Sequence, residues 1–251
     1  MTRFVRSTLL LALLGLAGMA PALSFAADAA PAEQALSGPG GLKLVVRAQG
    51  PYDADVPLQV VCYFQHKPEG DRTQGAPVEL DERLGGAITS LRNRGEFVGN
   101  ELETLLLTSP AGTIQPKRLL LIGLGEEKSL SLATMERVGR TAFRQAAELG
   151  ARKVAFAPLL RDQGNSTLAI GDVETAVIRG LLLAYDTDQR LQKEGLAPEF
   201  TLEEWIVEAG PAFFQETIAG AEKGIAEAKA AVAARPVTSY AAKGKAASKS
   251  L

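Results

Sequence analysis

Side chains that could bind a metal ion are scarce in this sequence. His66 is the single histidine and Cys62 the single cysteine among 251 residues. Zinc sites usually need several such ligands at close spacing, so this inventory does not support one. The acidic residues at 53, 55, 81 and 82 have the positions of solvated loop and helix-start carboxylates. We therefore predict no metal site and no cofactor.

A nucleophilic active site has no better support. A catalytic triad would need His66 beside a serine, but His66 lies in a polar loop, and the G-x-S-x-G elbow of serine hydrolases does not occur. Cys62 lies inside the apolar run 60–64, which predicts a buried structural thiol. An intermolecular disulfide is the alternative for this lone cysteine. We predict a surface position for His66 and no catalytic residue.

A glycine pair at the end of a strand could contact a phosphate group. Gly123 lies near the end of the apolar run 118–124, and Gly125 directly follows that run. Phosphate cradles use the backbone N–H groups of a turn at the end of a strand. Lys128 occupies the place of the third glycine of a G-x-G-x-x-G motif. We favour the alternative, a tight strand-to-loop turn, because a lone G-x-G is a weak motif. Both glycines are kept as candidate ligand contacts.

Two arginines and a pair of phenylalanines complete the candidate contacts. Arg92 and Arg94 follow a predicted helix and could contact an anion or a partner protein, although a solvated loop explains them equally well. Phe213, Phe214 and the single tryptophan, Trp205, are interpreted as core or helix-packing aromatics. An exposed Phe214 would instead mark an oligomer surface.

Strand and helix patterns alternate along the chain, which predicts an α/β fold with helices on both faces of a sheet. The apolar runs typical of strands are 42–48, 58–64, 105–108, 118–124, 153–157 and 202–208. Most connections are long enough for parallel neighbours, and the short connection 107–119 predicts one antiparallel pair. No linker divides residues 42–234, so one domain is expected.

Apolar residues at helical spacing predict four helices between these strands. One starts near Asp81 and contains Gly85-Gly86, a pair that is tolerated where another backbone approaches closely. The next is capped by Ser131 and stopped by Gly150. The last two cover residues 172–185 and 212–234.

Residues 1–26 resemble a secretory signal peptide, with Arg3 and Arg6 before a short apolar stretch and small residues up to Ala26. The stretch is shorter than the about 20 residues that span a bilayer, so we expect an exported, periplasmic or secreted protein without a membrane segment after cleavage. Residues 27–41 predict a flexible leader and residues 236–251 a disordered, mildly basic tail.

The charge balance gives no sign of a nucleic-acid partner. The formal net charge is −2, and loss of the two arginines with the signal peptide would make it −4. Nucleic-acid binding depends on basic side chains that neutralise phosphates. We therefore expect no nucleic-acid partner.

Four sequence blocks carry a family resemblance. They are LDERLGGAITSL at 80–91, GEFVG at 95–99, ETLLL at 103–107 and KRLLLIGLG at 117–125. In this order and spacing they resemble the N-terminal domain of the leucyl aminopeptidases, also called cytosol aminopeptidases. The resemblance extends more loosely over residues 42–235.

The resemblance implies a macro-domain-like, three-layer α/β/α sandwich over residues 42–235, with a mixed, mostly parallel sheet. Full-length members are metallo-aminopeptidases that form hexamers, and their metal ligands lie in a C-terminal domain. The hallmark segment of that domain, N-T-D-A-E-G-R-L, has no counterpart in this sequence. The resemblance therefore implies a peptidase-derived domain that we expect to be non-catalytic.

These observations leave several hypotheses on function. The favoured one is protein binding, with another protein or with further copies of the chain in a homo-oligomer. The alternatives are the binding of a small, nucleotide-like ligand in a macro-like pocket, or a role as one component of a split metallo-aminopeptidase.

Overall fold

The fold is built on one seven-stranded mixed sheet, in a computed structural model that describes residues 32–236. The strands are Glu33–Ser37 (β1), Lys43–Arg47 (β2), Leu58–Tyr63 (β3), Thr104–Thr108 (β4), Arg118–Gly123 (β5), Lys153–Ala157 (β6) and Glu204–Glu208 (β7). Their order across the sheet is β1-β2-β7-β6-β3-β5-β4. The central pairings are parallel, and the edge strands β1 and β4 pair antiparallel with their neighbours. The predicted mixed, mostly parallel sheet is confirmed.

Helices cover both faces of this sheet. They are Ala76–Arg83 (α1), Ala87–Asn93 (α2), Leu132–Glu148 (α3), Ile170–Lys193 (α4) and Phe214–Ala233 (α5). Helices α3, α4 and α5 share the larger hydrophobic core with one face, whereas α1 and α2 pack on the other. The three-layer sandwich expected from the sequence is confirmed.

Strand β3 shows how the two cores are divided. Leu58, Val60 and Cys62 point into the larger core, and Val61 and Tyr63 point into the smaller one. Every residue of β3 is buried, which explains why the strand is apolar apart from Gln59. Cys62 is buried as predicted, and this burial raises the pKa of its thiol.

Helices α3 and α4 approach each other through two glycines. A Cβ atom at Gly139 would lie 2.1 Å from the carbonyl oxygen of Val177. Reciprocally, a Cβ atom at Gly180 would lie 2.0 Å from the carbonyl oxygen of Glu136. Only glycine permits backbones to approach this closely, so the two helices lock together at this crossing.

The predicted boundaries of α3 are confirmed by its capping contacts. The Ser131 hydroxyl accepts a hydrogen bond from the Thr134 amide at 3.1 Å, which satisfies an otherwise unpaired donor of the first turn. Gly150, at a φ of +64°, follows the last turn and stops the helix. Strand β6 then begins and ends where the sequence predicts.

The helix predicted to start near Asp81 in fact begins at Ala76 and is divided into two short helices. Gly85 and Gly86 both have positive φ, 67° and 78°, and separate α1 from α2. In the described part of the chain, no atom lies within 4 Å of a Cβ built at either glycine, so the turn itself requires them rather than a close backbone. The Asp81 carboxylate accepts a hydrogen bond from the Ile88 amide at 2.7 Å and therefore caps α2.

The flexible leader predicted for residues 27–41 contains a strand. All of β1 pairs with β2, and the short 3-10 turn Pro39–Gly41 connects the two strands. The leader prediction is therefore corrected for residues 33–41. Strand β1 is polar and almost wholly exposed, so no apolar alternation marks it in the sequence.

Several sequence predictions fall beyond the described range. The signal peptide at 1–26, the leader up to residue 31 and the tail from residue 237 lie outside the described residues. Between residues 32 and 236, no helix combines the length and apolarity needed to cross a membrane.

Candidate functional site

The carboxyl ends of three parallel strands meet at a cleft of about 410 Å³. The segments that follow β2, β6 and β7 line it, together with the first turns of α4. Ligands of open α/β sheets bind at this edge, where loops from different strands converge. The topology therefore marks this cleft as a candidate binding site.

Glu174 brings a carboxyl group to the cleft from α4. The residue is 2% exposed, and burial raises its pKa to about 8. Its buried Oε1 atom has no hydrogen-bond partner among the described residues. Buried polar atoms in folded proteins are almost always paired, so an unpaired one beside a cleft calls for an explanation.

Glu208 brings a second carboxyl group to the cleft from the end of β7. Gln59 donates a hydrogen bond from Nε2 to Oε2 at 2.6 Å, and Gln49 donates one to Oε1 at 2.9 Å. Burial outweighs these hydrogen bonds and raises the pKa of Glu208 to about 8. Near pH 7, Glu174 and Glu208 are therefore mainly protonated in the folded protein.

Arg161 and Asp162 are the other charged residues that line the cleft. The Arg161 guanidinium donates hydrogen bonds to the carbonyl oxygens of Asn165 and Leu168, at 2.6 and 2.7 Å, and lies 6.0 Å from the centre of the Phe213 ring. Burial raises the pKa of the Asp162 carboxyl. The lining thus combines three carboxyl groups with one guanidinium that donates to two backbone carbonyl oxygens.

Gly123 and Gly125, the predicted ligand contacts, do not line this cleft. The Gly123 amide donates to the carbonyl oxygen of Glu103 at 2.8 Å, and the Gly125 amide donates to that of Gly99 at 2.9 Å. A Cβ atom at Gly123 would lie 1.9 Å from the carbonyl oxygen of Asn100. The segment 99–103 therefore covers this turn, and neither N–H group is available to a bound anion. The geometry favours the strand-to-loop turn.

Arg92 is buried, so the prediction of a solvated loop side chain is wrong for this residue. It is 3% exposed, its Nε donates to the Asp71 carboxylate at 2.6 Å, and its Nη2 donates to the carbonyl oxygen of Phe64 at 2.8 Å. Burial alone would raise the pKa of Asp71, but the hydrogen bonds from Arg92 hold it below its ordinary value. Arg92 therefore fixes the segment after β3 from inside the protein.

The remaining candidates from the sequence lie near the surface. Arg94 is exposed and pairs with Glu96 at 2.8 Å, so its role as a partner contact stays a prediction. His66 is partly buried, with Nδ1 at 3.1 Å from Oδ2 of Asp71. Across residues 32–236, no group of three or more histidine, cysteine or acidic side chains is arranged to hold a metal ion.

Neither glutamate of the cleft was predicted from the sequence, although each carries a signal. Glu174 precedes Val177 and Leu181 by three and seven residues, which places it on the apolar stripe of the predicted helix. Glu208 follows Ile206 by two residues and so shares its face of the strand. An acidic residue on the buried face of its helix or strand is a functional-site candidate.

Comparisons with known proteins agree with this fold. The profile described as the N-terminal domain of the cytosol aminopeptidase family matches residues 60–194, more than half of the chain. The chain belongs to the cytosol aminopeptidase family. The probable cytosol aminopeptidase of Geotalea uraniireducens is 34% identical over 128 residues, which cover 50% of this chain and 24% of that protein. The one from Thermosynechococcus vestitus is 32% identical over 138 residues, which cover 55% and 26%.

The chain thus spans about a quarter of the length of these cytosol aminopeptidase relatives. A variant of tomato leucine aminopeptidase matches with a TM-score of 0.53 at 19% identity, over 75% of this chain and 35% of that one. The Oceanobacillus iheyensis macrodomain with ADP matches with a TM-score of 0.52 at 12% identity, over 78% and 96%. At these identities the likeness establishes the fold, which is that of a cytosol aminopeptidase N-terminal domain with macro-domain-like architecture.

Proposed function

We propose that this chain is an exported, non-catalytic binding domain that takes a small organic ligand in the cleft at the ends of β2, β6 and β7. The observation that carries the proposal is the buried, unpaired Oε1 atom of Glu174, a residue that lines the cleft. The macrodomain solved with ADP is consistent with a binding role for this fold. The present cleft, however, is lined by three carboxyl groups and a single guanidinium, which is a poor match to a phosphate-bearing ligand.

A side chain that fills the cleft should abolish ligand binding without unfolding the protein. Gly210 lines the cleft, and a Cβ atom built there meets only the Phe213 ring, at 3.8 Å. We expect Gly210→Trp to leave the melting temperature within about 2 °C of the wild type, because such a surface change costs little. Thermal-shift screening of a mixed set of small organic compounds should then find stabilisers of the wild type that fail on this variant.

The matched control is Leu196→Trp, which adds the same ring at a site 59% exposed and outside the cleft. This variant should respond to compounds as the wild type does. Stabilisation of the Gly210→Trp protein by the same compounds would contradict the proposed site. The absence of any stabiliser of the wild type at millimolar concentration would also contradict it. Even a weak site with a Kd near 1 mM, a binding free energy of only about 4 kcal/mol, would be about half occupied at that concentration.

We expect the chain to show no hydrolysis of leucine p-nitroanilide with added manganese or zinc. Hydrolysis by a metal pair needs several coordinating side chains, and the described residues bring no such group together. A full-length cytosol aminopeptidase serves as the positive control in the same assay. Turnover by the purified chain, accompanied by stoichiometric metal retained after dialysis, would contradict the non-catalytic role.

Homo-oligomer assembly is a second candidate function, favoured by the edge of the sheet at β4. Among the described strands β4 pairs only with β5, so its outer edge presents backbone N–H and C=O groups without a strand partner. Leu106, at the centre of β4, is 39% exposed. Pairing of β4 with the same strand of a second copy would cover this leucine and continue the sheet.

Leu106→Lys should therefore convert an oligomer to a monomer in sedimentation-velocity measurements, because charged side chains block edge-to-edge pairing. Leu132→Lys is the matched control, since Leu132 is 38% exposed but lies at the start of α3. We expect this control to sediment as the wild type does. A wild-type protein that is monomeric at every concentration would remove this candidate.

A further inference from the structure

We propose that the ligand of the cleft carries a positively charged nitrogen, a primary ammonium or a guanidinium, which pairs with the Glu174 carboxylate. This inference rests on the proposed function of the cleft and names the chemical class of its ligand. It follows from three features of the cleft: an acid without a hydrogen-bond partner, the absence of an ion pair between that acid and any basic side chain of residues 32–236, and a second acid whose two oxygens are both hydrogen-bonded.

Glu174 lacks a counter-ion within residues 32–236. No lysine or arginine of this range forms an ion pair with it. On the same helix, the nearby Asp172 pairs with Lys223 of α5 at 3.3 Å, which directs that ammonium to another carboxylate. Among the described titratable groups, Glu174 raises the pKa of the Cys62 thiol of β3. That thiol is buried and neutral, so it is not a counter-ion for Glu174.

Two carboxyl groups and one guanidinium face Glu174 across the cleft. Glu208 comes from β7, and Asp162 and Arg161 come from the segment after β6. The Arg161 guanidinium donates to two backbone carbonyl oxygens and forms no ion pair with these acids. A bound phosphate or carboxylate would oppose ionisation of these carboxyl groups, whereas a bound cation would favour their ionised form.

Glu208 differs from Glu174 in having both carboxyl oxygens hydrogen-bonded. Gln59 and Gln49 donate to them, so a ligand cation would displace a formed contact at Glu208 but would complete an unformed one at Glu174. A buried acceptor left without a donor is costly, and this cost is relieved when a ligand supplies the donor. The pairing is therefore assigned to Glu174.

Binding of a cation should also release a proton. Because burial raises the pKa of Glu174 to about 8, its carboxyl is mainly protonated near pH 7 in the free protein. A bound ammonium favours the ionised carboxylate, so the proton passes to the buffer as the ion pair forms. This release distinguishes ionic recognition from simple apolar binding.

The test compares nine compounds that share three hydrocarbon frames: butyl, cyclohexylmethyl and 2-phenylethyl, each as a primary amine, an alcohol and a carboxylate. Isothermal titration at pH 7 in two buffers of different ionisation enthalpy gives both affinity and proton release. For at least one frame we expect the amine to bind about tenfold more tightly than the alcohol, with release of up to one proton, and the carboxylate to bind weakest. In Glu174→Gln the tenfold preference and the proton release should disappear, while Asp172→Asn should retain both.

The outcomes separate this inference from the proposed function. Alcohols or carboxylates that bind as tightly as amines, or amines that bind Glu174→Gln as they bind the wild type, would overturn the inference. So would the failure of all nine compounds to bind. In each case the proposed function still stands if other compounds stabilise the wild type and not Gly210→Trp, and it fails if no compound does.

Discussion

Replacing Gly180 with alanine should lower the free energy of unfolding by about 3 kcal/mol, a large overpacking effect. The new methyl group would lie 2.0 Å from the carbonyl oxygen of Glu136, a backbone atom of α3 that cannot rotate away. Helices α3 and α4 must then move apart along a contact that anchors the larger core. For a domain of this size the loss corresponds to a fall in melting temperature of roughly 6–12 °C.

Chemical denaturation followed by tryptophan fluorescence measures this loss. Trp205 is the only tryptophan of the chain and is fully buried, so its emission reports unfolding of the core. Gly210→Ala is the matched control, because Gly210 has an ordinary φ of −63° and space for a methyl group. Its unfolding free energy should stay within about 0.5 kcal/mol of the wild type. Equal midpoints for Gly180→Ala and the wild type would show that α3 and α4 do not meet as described.

The stability of the folded protein should fall as the pH rises from about 5 to 8. Burial raises the pKa of Glu174 and of Glu208 from 4.5 to about 8. Within this window the folded state keeps both protons, whereas the unfolded state has released them, so each added pH unit favours unfolding. Each glutamate contributes a loss of about 1 kcal/mol per pH unit. Below pH 4.5 both states are protonated and this contribution is fully present.

Glu174→Gln should remove about half of this pH dependence. The amide cannot ionise, so at pH 8 the variant should be more stable than the wild type by about 3 kcal/mol, or roughly 6–12 °C in melting temperature. At pH 5 the two proteins should differ by less than about 1 kcal/mol, because the wild-type carboxyl is neutral in the folded state and still partly protonated in the unfolded state. Thermal denaturation at half-unit steps between pH 5 and 8 measures both slopes.

Asp172→Asn is the control for this pH series, since Asp172 lies on the same helix but is largely exposed and paired with Lys223. It should keep the wild-type slope. Asp71, whose pKa is held below its ordinary value, is ionised in both states throughout this window and does not change the slope. A Glu174→Gln protein with the full wild-type slope would show that Glu174 ionises normally in the folded state.

The sequence predicts those helices and strands whose formation depends on their own residues. Strand β6 and the cap at Ser131 are confirmed because apolar periodicity and a hydroxyl before a helix act locally. Strand β1 could not be predicted, because its polar residues gain strand conformation only by pairing with β2. The glycine pair between α1 and α2 is evident in the sequence, but a sequence does not distinguish a need for positive φ from a close backbone contact.

The cleft was harder to predict than the fold, because its residues come from distant segments. Glu174 and Glu208 lie in apolar patterns that identify core faces, and only the strand order brings them to one edge. Arg92 shows the opposite error, since a charged residue after a helix suggests solvent, whereas Asp71 and the carbonyl oxygen of Phe64 hold it inside. Burial of a charge depends on partners that sequence spacing does not reveal.

Amide chemical shifts of the ¹⁵N-labelled protein would locate a bound ligand residue by residue. On titration with 2-phenylethylamine, we expect the changes to concentrate in the segments that line the cleft, at 48–52, 157–162, 170–174 and 208–213. Changes confined to the covered turn at 99–103 and 123–125, with none in the cleft segments, would contradict the proposed binding site.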